Sequence, residues 1–259
     1  MGTTGRHLLG RARRAVSRRE YPVVPAHLAR IDYDGAEIVV GVTSRAEIMS
    51  RLRPNAKEPW TVRWIEESVR PGDVLYDVGA NVGSYSLIAA AQPVENLRVV
   101  AVEPGYASYA ALCDNVALNG FEETVTPLPV VLSDRTGLAD LAYRSIEPGA
   151  AEHPPQAGAS AVYRQPVLSF RIDDLVSQIG LPAPTLLKID VDGAEAPVLA
   201  GAPLTLASPA LRSVLVEIRR DLTQEILGLL DEAGLSLRSR VEERDGRPLN
   251  DVWYGIFER

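Results

Sequence analysis

The stretch Val74-Leu75-Tyr76-Asp77-Val78-Gly79-Ala80-Asn81-Val82-Gly83-Ser84-Tyr85-Ser86 constrains this chain most: an apolar run carrying one acid, a glycine-spaced turn, then the start of a helical pattern. A strand that feeds a helix through such a turn is the opening unit of a doubly wound sheet, which takes its ligands in the crevice at the strands' carboxyl ends. Without a Cβ, Gly79 and Gly83 let a ligand come close to the backbone. The helix that follows presents free N–H groups to the same space.

Charge narrows the ligand. A dinucleotide fingerprint reads G-x-G-x-x-G, its second glycine letting backbone N–H groups face a pyrophosphate. Asn81 stands at that position, and Asp77 sits at the mouth of the turn, where a carboxylate repels a diphosphate. A ligand with a positive centre and no phosphate fits better, and S-adenosylmethionine, with its sulfonium, amino acid end and adenosine, is the expected cofactor. A second strand, Leu97-Arg98-Val99-Val100-Ala101-Val102, ends in Glu103-Pro104, twenty residues beyond Gly83. In folds that hold adenosine, an acid about 20 residues on accepts hydrogen bonds from the ribose. Alone, Glu103 reads equally well as a solvated strand end; joined to the glycine turn at that distance, it reads as the ribose acid.

Composition excludes other classes. The chain has 259 residues and a net charge of −7, which argues against general affinity for nucleic acid or an anionic membrane. Six arginines face the single Glu20 within the first twenty residues, so the acidic excess belongs to the remainder, and this basic stretch reads as a solvated arm. Cys113 is the only cysteine, which excludes an intrachain disulfide and a cysteine metal cluster. With neither a secretory signal nor a membrane-length apolar run, a cytoplasmic location is expected.

Residues 1–57 read as an N-terminal basic arm and a β-hairpin appendage, the hairpin formed by residues 29–33 and 36–40 around Asp34-Gly35. Residues 58–259 read as the main domain. A helix opens at Glu58-Pro59 and ends before Pro71-Gly72, where it would cover the ligand. Strands are then expected near 73–78, 98–102, 125–132, 185–191 and 212–218, with helices near 84–91, 105–119, 169–180, 194–201 and 222–233. That alternation marks an α/β fold with a parallel sheet covered on both faces. Residues 235–240 and 252–257 flank an Asp245-Gly246 turn and close the sheet as an antiparallel hairpin. Residues 144–166, rich in proline and glycine, exceed the usual connection length and read as a lid or a disordered loop.

The run Lys188-Ile189-Asp190-Val191-Asp192-Gly193-Ala194-Glu195 is the second chemical group. On an extended strand Lys188, Asp190 and Asp192 share a face, a costly arrangement in a sheet unless the charges pair or face a crevice. Glu217, on the strand 214–218, is expected at the same edge. Crowded carboxylates take up protons more readily and can accept one from a hydroxyl, so Asp190, Lys188, Asp192 and Glu195 are the candidate catalytic residues. The alternative is a structural ion-pair network. Carboxylates alone suit Mg²⁺ or Ca²⁺ rather than zinc, but His7, His27 and His153 lack ligand spacing, and no metal site is assigned.

Taken together, Asp77–Gly83, Val102-Glu103-Pro104, Leu132–Gly137 and Lys188–Glu195 resemble the FkbM family of S-adenosylmethionine-dependent methyltransferases. The resemblance implies a Rossmann-like class I methyltransferase fold, seven-stranded with an antiparallel last strand. It implies that Asp77, Gly79, Asn81, Gly83 and Ser86 surround the amino acid part of the cofactor, that Glu103 holds the ribose and Ser133 and Asp134 border the adenine, and that Asp190 faces the methyl group. Glu58, Tyr85 and Pro104 complete the expected cofactor-binding set. The family's usual V-E-G reads Val191-Asp192-Gly193 here, a shorter acid. The implied activity is O-methylation of a small hydroxylated molecule, such as a sugar unit or a secondary metabolite. Two alternatives remain at this point: a cofactor-binding protein of the same fold without methyl transfer, and a nicotinamide oxidoreductase, which Asn81 and Asp77 disfavour. The expected partner is the small acceptor, with a homodimer compatible and no nucleic acid or membrane involved.

Overall fold

The computed structural model describes residues 27–143, 147–149 and 163–259. Its centre is a seven-stranded sheet. Strands β3 (Val74–Val78), β4 (Arg98–Val102), β5 (Val125–Leu128), β9 (Leu186–Ile189) and β10 (Ser213–Arg219) run parallel, and β11 (Ser236–Val241) and β14 (Val252–Glu258) complete it, in the order β11-β14-β10-β9-β3-β4-β5. β14 is antiparallel to both of its neighbours. Every residue of β3 and of β9 is buried, as expected of central strands covered on both faces.

Side chains alternate between the two faces. Val74, Tyr76 and Val78 enter one apolar cluster with Leu187, Ile189, Val214 and Val216. Helices α5 (Ile172–Ser177), α6 (Glu195–Ala200), α7 (Pro203–Ala207) and α8 (Thr223–Glu232) contribute to that cluster. Leu75, Val99, Leu186 and Leu215 enter the other, under helices α2 (Pro59–Ser68), α3 (Ser84–Ala90) and α4 (Tyr106–Asn119). Pro59 opens α2, where its missing N–H costs nothing. Ahead of α2 lie a five-residue π-helical turn (Glu47–Arg51) and the short helix α1 (Pro54–Lys57).

The N-terminal hairpin pairs β1 (His27–Arg30) with β2 (Val39–Val42), leaving a wider connection than the expected pairing of 29–33 with 36–40. It packs on the main sheet's layer: Ile31, Ile38 and Val40 join the second cluster. Asn115 Oδ1 accepts a hydrogen bond from Gly41 N at 2.8 Å, and Asn119 Oδ1 one from Val39 N at 2.9 Å.

Three differences from the expected elements concern one region. The expected strand at 125–132 divides into β5 and the two-residue β6 (Val131–Leu132). A strand over residues 137–143, unassigned from sequence, is β7 (Gly137–Tyr143). It pairs antiparallel with β8 (Tyr163–Phe170), which in turn pairs with β6. β8 takes the last four residues of the presumed loop and the first residues of the presumed helix at 169–180, so that helix shortens to α5. Cross-strand pairing over seven residue pairs outweighs the local polar pattern there. Of the 144–166 segment, residues 144–146 and 150–162 lie outside the described residues, as do His7, His153 and the basic arm. At the other end, β12 (Glu243–Arg244) and β13 (Arg247–Pro248) form a small hairpin about Asp245-Gly246.

Candidate active site

The carboxyl ends of β3, β4, β9 and β10 open into a crevice of about 810 Å³, within the range of small-molecule pockets. Its floor is the β3–α3 turn. Gly79 adopts φ +84°, and a Cβ there would stand 1.8 Å from the Asp190 carbonyl oxygen, so glycine is required where β3 passes β9. Asn81 is left-handed too, with φ +51°. Its backbone N–H donates to Glu103 Oε2 at 2.9 Å, and its own Oδ1 is buried without a hydrogen-bond partner among the described residues.

Glu103 lies at the end of β4 and lines the crevice. Gly105 N donates to its Oε1 at 2.7 Å, so both oxygens are oriented by backbone. Burial pushes its carboxyl up to about 7, against the pull of the two N–H bonds from Gly105 and Asn81. Pro104, Val102, Val130 and Leu132 supply apolar wall beside it.

Beneath the crevice the sheet carries an ion pair. Asp77 and Lys188 are register partners across β3 and β9, with side chains 0% and 1% exposed and Lys188 Nζ 3.0 Å from Asp77 Oδ1. Ser86 Oγ donates to Asp77 Oδ2 at 2.6 Å. Lys188 Nζ also lies 3.7 Å from Asp190 Oδ2 and 5.2 Å from the Tyr85 ring centroid. Burial alone would lower its pKa, but Asp77, Asp190 and Glu58 outweigh it and hold the ammonium charged.

Asp190 follows β9 and reaches the crevice. Its carboxyl is depressed despite burial, because Lys188 and a hydrogen bond with Glu217 favour the charged form. Glu217 is raised by burial and then by Asp190, so of this pair Asp190 carries the charge and Glu217 the proton. Tyr254, opposite Glu217 on β14, donates to Glu217 Oε2 at 2.9 Å.

The shared strand face expected for Lys188, Asp190 and Asp192 ends after one step, because β9 stops at Ile189 and the chain turns, Asp192 taking φ +53° and Gly193 φ +99°. Lys188 therefore points into the second cluster's layer, Asp190 stands at the mouth, and Asp192 lies on the exposed rim. The Asp192 carboxyl is raised to about 7 by desolvation and by Asp190. Glu195, at the start of α6, is buried beneath the turn, its Oε1 accepting from Gly193 N at 2.9 Å and Val191 N at 3.3 Å.

Of the expected cofactor set, Gly79, Asn81, Glu103, Pro104 and Asp190 line the crevice, and Tyr85 borders a smaller nook beside the glycine turn. Asp77, Gly83 and Ser86 lie under the floor. Glu58 is buried, with Lys57 Nζ 2.5 Å from its Oε1. Ser133 Oγ donates to Asp134 Oδ1 at 3.0 Å, and the two residues lie outside the crevice lining, to which Val130–Leu132 and the β7 residues Asp140–Ala142 contribute. Sequence reading missed Arg51, Lys57, Arg164 and Tyr254 in the wall. One signal pointed to Lys57: the chain has two lysines, and both come to this site. Among the described residues, no group of three or more His, Cys, Asp or Glu side chains is arranged to hold a metal, and no helix is long and apolar enough to cross a membrane.

The strand order, its antiparallel final strand and the acid-lined crevice at the carboxyl edge define a class I methyltransferase. Residues 77–237 match the Methyltransferase FkbM domain, and the chain belongs to that family. Hexuronic acid methyltransferase AglP of Haloferax volcanii is 30% identical over 224 residues, 82% of this chain and 88% of that protein. The 31-O-demethyl-FK506 methyltransferase FkbM of Streptomyces tacrolimicus is 28% identical over 208 residues, 68% of this chain and 76% of its own length. Among solved structures, methyltransferase FkbM from Methylobacillus flagellatus KT aligns with a TM-score of 0.48 at 18% identity, covering 72% of this chain and 44% of that one.

Proposed function

We propose that this methyltransferase uses S-adenosylmethionine to methylate an oxygen of a small hydroxylated molecule, a sugar unit or a secondary metabolite. The observation that carries this reading is Glu103: a buried carboxylate, oriented by two backbone N–H groups, opening into the crevice at the end of the second parallel strand. Each of its oxygens keeps a lone pair for a ribose hydroxyl. The orphaned Asn81 Oδ1 is an acceptor in want of a donor, which the amino group of the same ligand provides. The apolar wall of Val130 and Leu132 suits a base. The hexuronic acid and the 31-O-demethyl-FK506 named in the two relatives' descriptions support a small oxygen acceptor.

When bound, the donor supplies an electrophilic methyl on a sulfonium. The chain's own residues do the rest by alignment and proton handling. Asp190, charged at the mouth of the crevice, favours positive charge at that point. Asp192, at the rim with a pKa near that of the medium, takes the hydroxyl proton and passes it to solvent. Lys188 and Glu195 are positioning residues in this scheme: the first holds Asp77 and Asp190, the second braces the 191–193 turn. The acceptor in this reading is a small molecule and not nucleic acid, in keeping with the net charge of −7, and a cytoplasmic location is part of the same reading.

Titration calorimetry with S-adenosylhomocysteine, followed by transfer of a tritiated methyl group to a panel of sugar acids, sugars and hydroxylated polyketides, tests this. Saturable one-site binding and label in one acceptor class are expected. Folded protein that gives no heat with S-adenosylhomocysteine refutes the cofactor assignment, and label on nitrogen acceptors alone refutes the oxygen one.

A further inference from the structure

Arg51, from the N-terminal segment, lines the crevice beside Gly79, Asn81 and Asp190, and the same four residues with Ser84 and Tyr85 border a recess of about 10 Å³, room for one water. This corner of the crevice thus holds one acid and one cation, the complement of a zwitterion. Arg51 lies outside the stretch 77–237 that matches the family. Its backbone carbonyl accepts a hydrogen bond from Ser84 Oγ at 2.9 Å, which ties it to the first residue of α3.

The segment that carries Arg51 is built rigidly. Glu47, 2% exposed, accepts hydrogen bonds from Thr43 N at 2.6 Å and Ser44 N at 2.7 Å. Asp32 accepts from Asn55 N and Ala56 N, both at 2.9 Å. The half-buried Arg51 side chain donates through Nε to the Gly149 carbonyl at 3.1 Å. Among the described residues it has no carboxylate within 4.0 Å. Nearby, Lys188 lies 3.0 Å from Asp77 and 3.7 Å from Asp190, and Lys57 pairs with Glu58. Arg51 lines the same crevice as Glu103 and Asp190 and favours the charged form of both. A half-buried guanidinium with no carboxylate in direct contact among the described residues favours an anionic ligand, and its fork geometry suits a carboxylate.

We infer that Arg51 binds the α-carboxylate of the methyl donor, so that the N-terminal segment completes the cofactor site. This rests on the donor assignment above. With Asp190 and Asn81 Oδ1 facing the ammonium, this corner of the crevice reads the amino acid end of the ligand, while Glu103 reads the sugar.

Calorimetry with two ligands separates the possibilities: S-adenosylhomocysteine, which carries the amino acid, and 5′-methylthioadenosine, which keeps the nucleoside and lacks it. The wild-type protein is expected to bind the first more tightly. Arg51→Gln should weaken S-adenosylhomocysteine roughly 10–100-fold and leave 5′-methylthioadenosine unchanged, and Arg51→Lys should recover part of the loss. An equal loss for both ligands would assign Arg51 to holding the fold and overturn the inference. No loss for either would overturn it as well. Were the wild-type protein to bind neither ligand, the donor assignment itself would fall, and the inference with it.

Discussion

Replacing Lys188 by methionine tests the ion pair beneath the crevice. At the effective dielectric of about 20 that describes protein charges, two unit charges 3.0 Å apart attract by roughly 5–6 kcal/mol. Desolvation of both groups offsets most of this in the intact protein, so the pair adds little net stability. Removing one partner is different, because Asp77, with none of its side chain exposed, is left charged with only Ser86 Oγ to satisfy it. Loss of about 3–5 kcal/mol is expected, seen as a Tm about 10 °C lower. The double variant Asp77→Asn, Lys188→Met removes both charges and should recover most of the loss. Urea unfolding of wild type, both single variants and the double variant gives the coupling energy directly. If Lys188→Met loses less than about 1 kcal/mol, or if the two single effects simply add, the charge argument fails.

Gly79→Ala places a Cβ 1.8 Å from the Asp190 carbonyl oxygen at φ +84°; a loss of at least about 2 kcal/mol in urea unfolding is expected, and an unchanged midpoint would show that the turn is not tightly built. The Glu103 carboxyl, raised from 4.5 to about 7 on folding, binds more protons in the folded chain than in the unfolded one across that interval. Its contribution therefore makes stability fall as pH climbs from about 4.5 to 7 and stay level above, by roughly 3 kcal/mol. Glu103→Gln should remove that limb from the pH profile of unfolding, and identical profiles for the two proteins would contradict it. Asp190→Asn should lower turnover at saturating donor by roughly 10²-fold; equal turnover would take Asp190 out of the reaction.

Much of the fold was legible because its signals are local. The apolar runs 74–78, 98–102 and 185–189 are long enough to exclude a half-exposed strand, and the glycines of the β3–α3 turn permit few alternatives. The three-stranded unit of β6, β7 and β8 was not legible. Its strands carry exposed residues such as Leu138, Leu168 and Arg164 and owe their conformation to pairing partners twenty or more residues away.

The division at the site follows the same line. Sequence by itself determined which chemistry the chain carries: Glu103 at its distance from the turn, and the acids around Asp190, are consequences of spacing along single strands. Only the tertiary structure decided which of those groups reach the crevice. Register across β3 and β9 buries Lys188 against Asp77, register across β10 and β14 sets Glu217 against Tyr254, and the turn after Ile189 sends Asp192 to the rim. Arg51 and Lys57 reach the crevice from a segment that no local pattern connects to it. The physical reason is that a charge acquires its protonation state, and so its chemical use, from neighbours in space, and in this chain those neighbours lie up to a hundred residues or more apart in sequence.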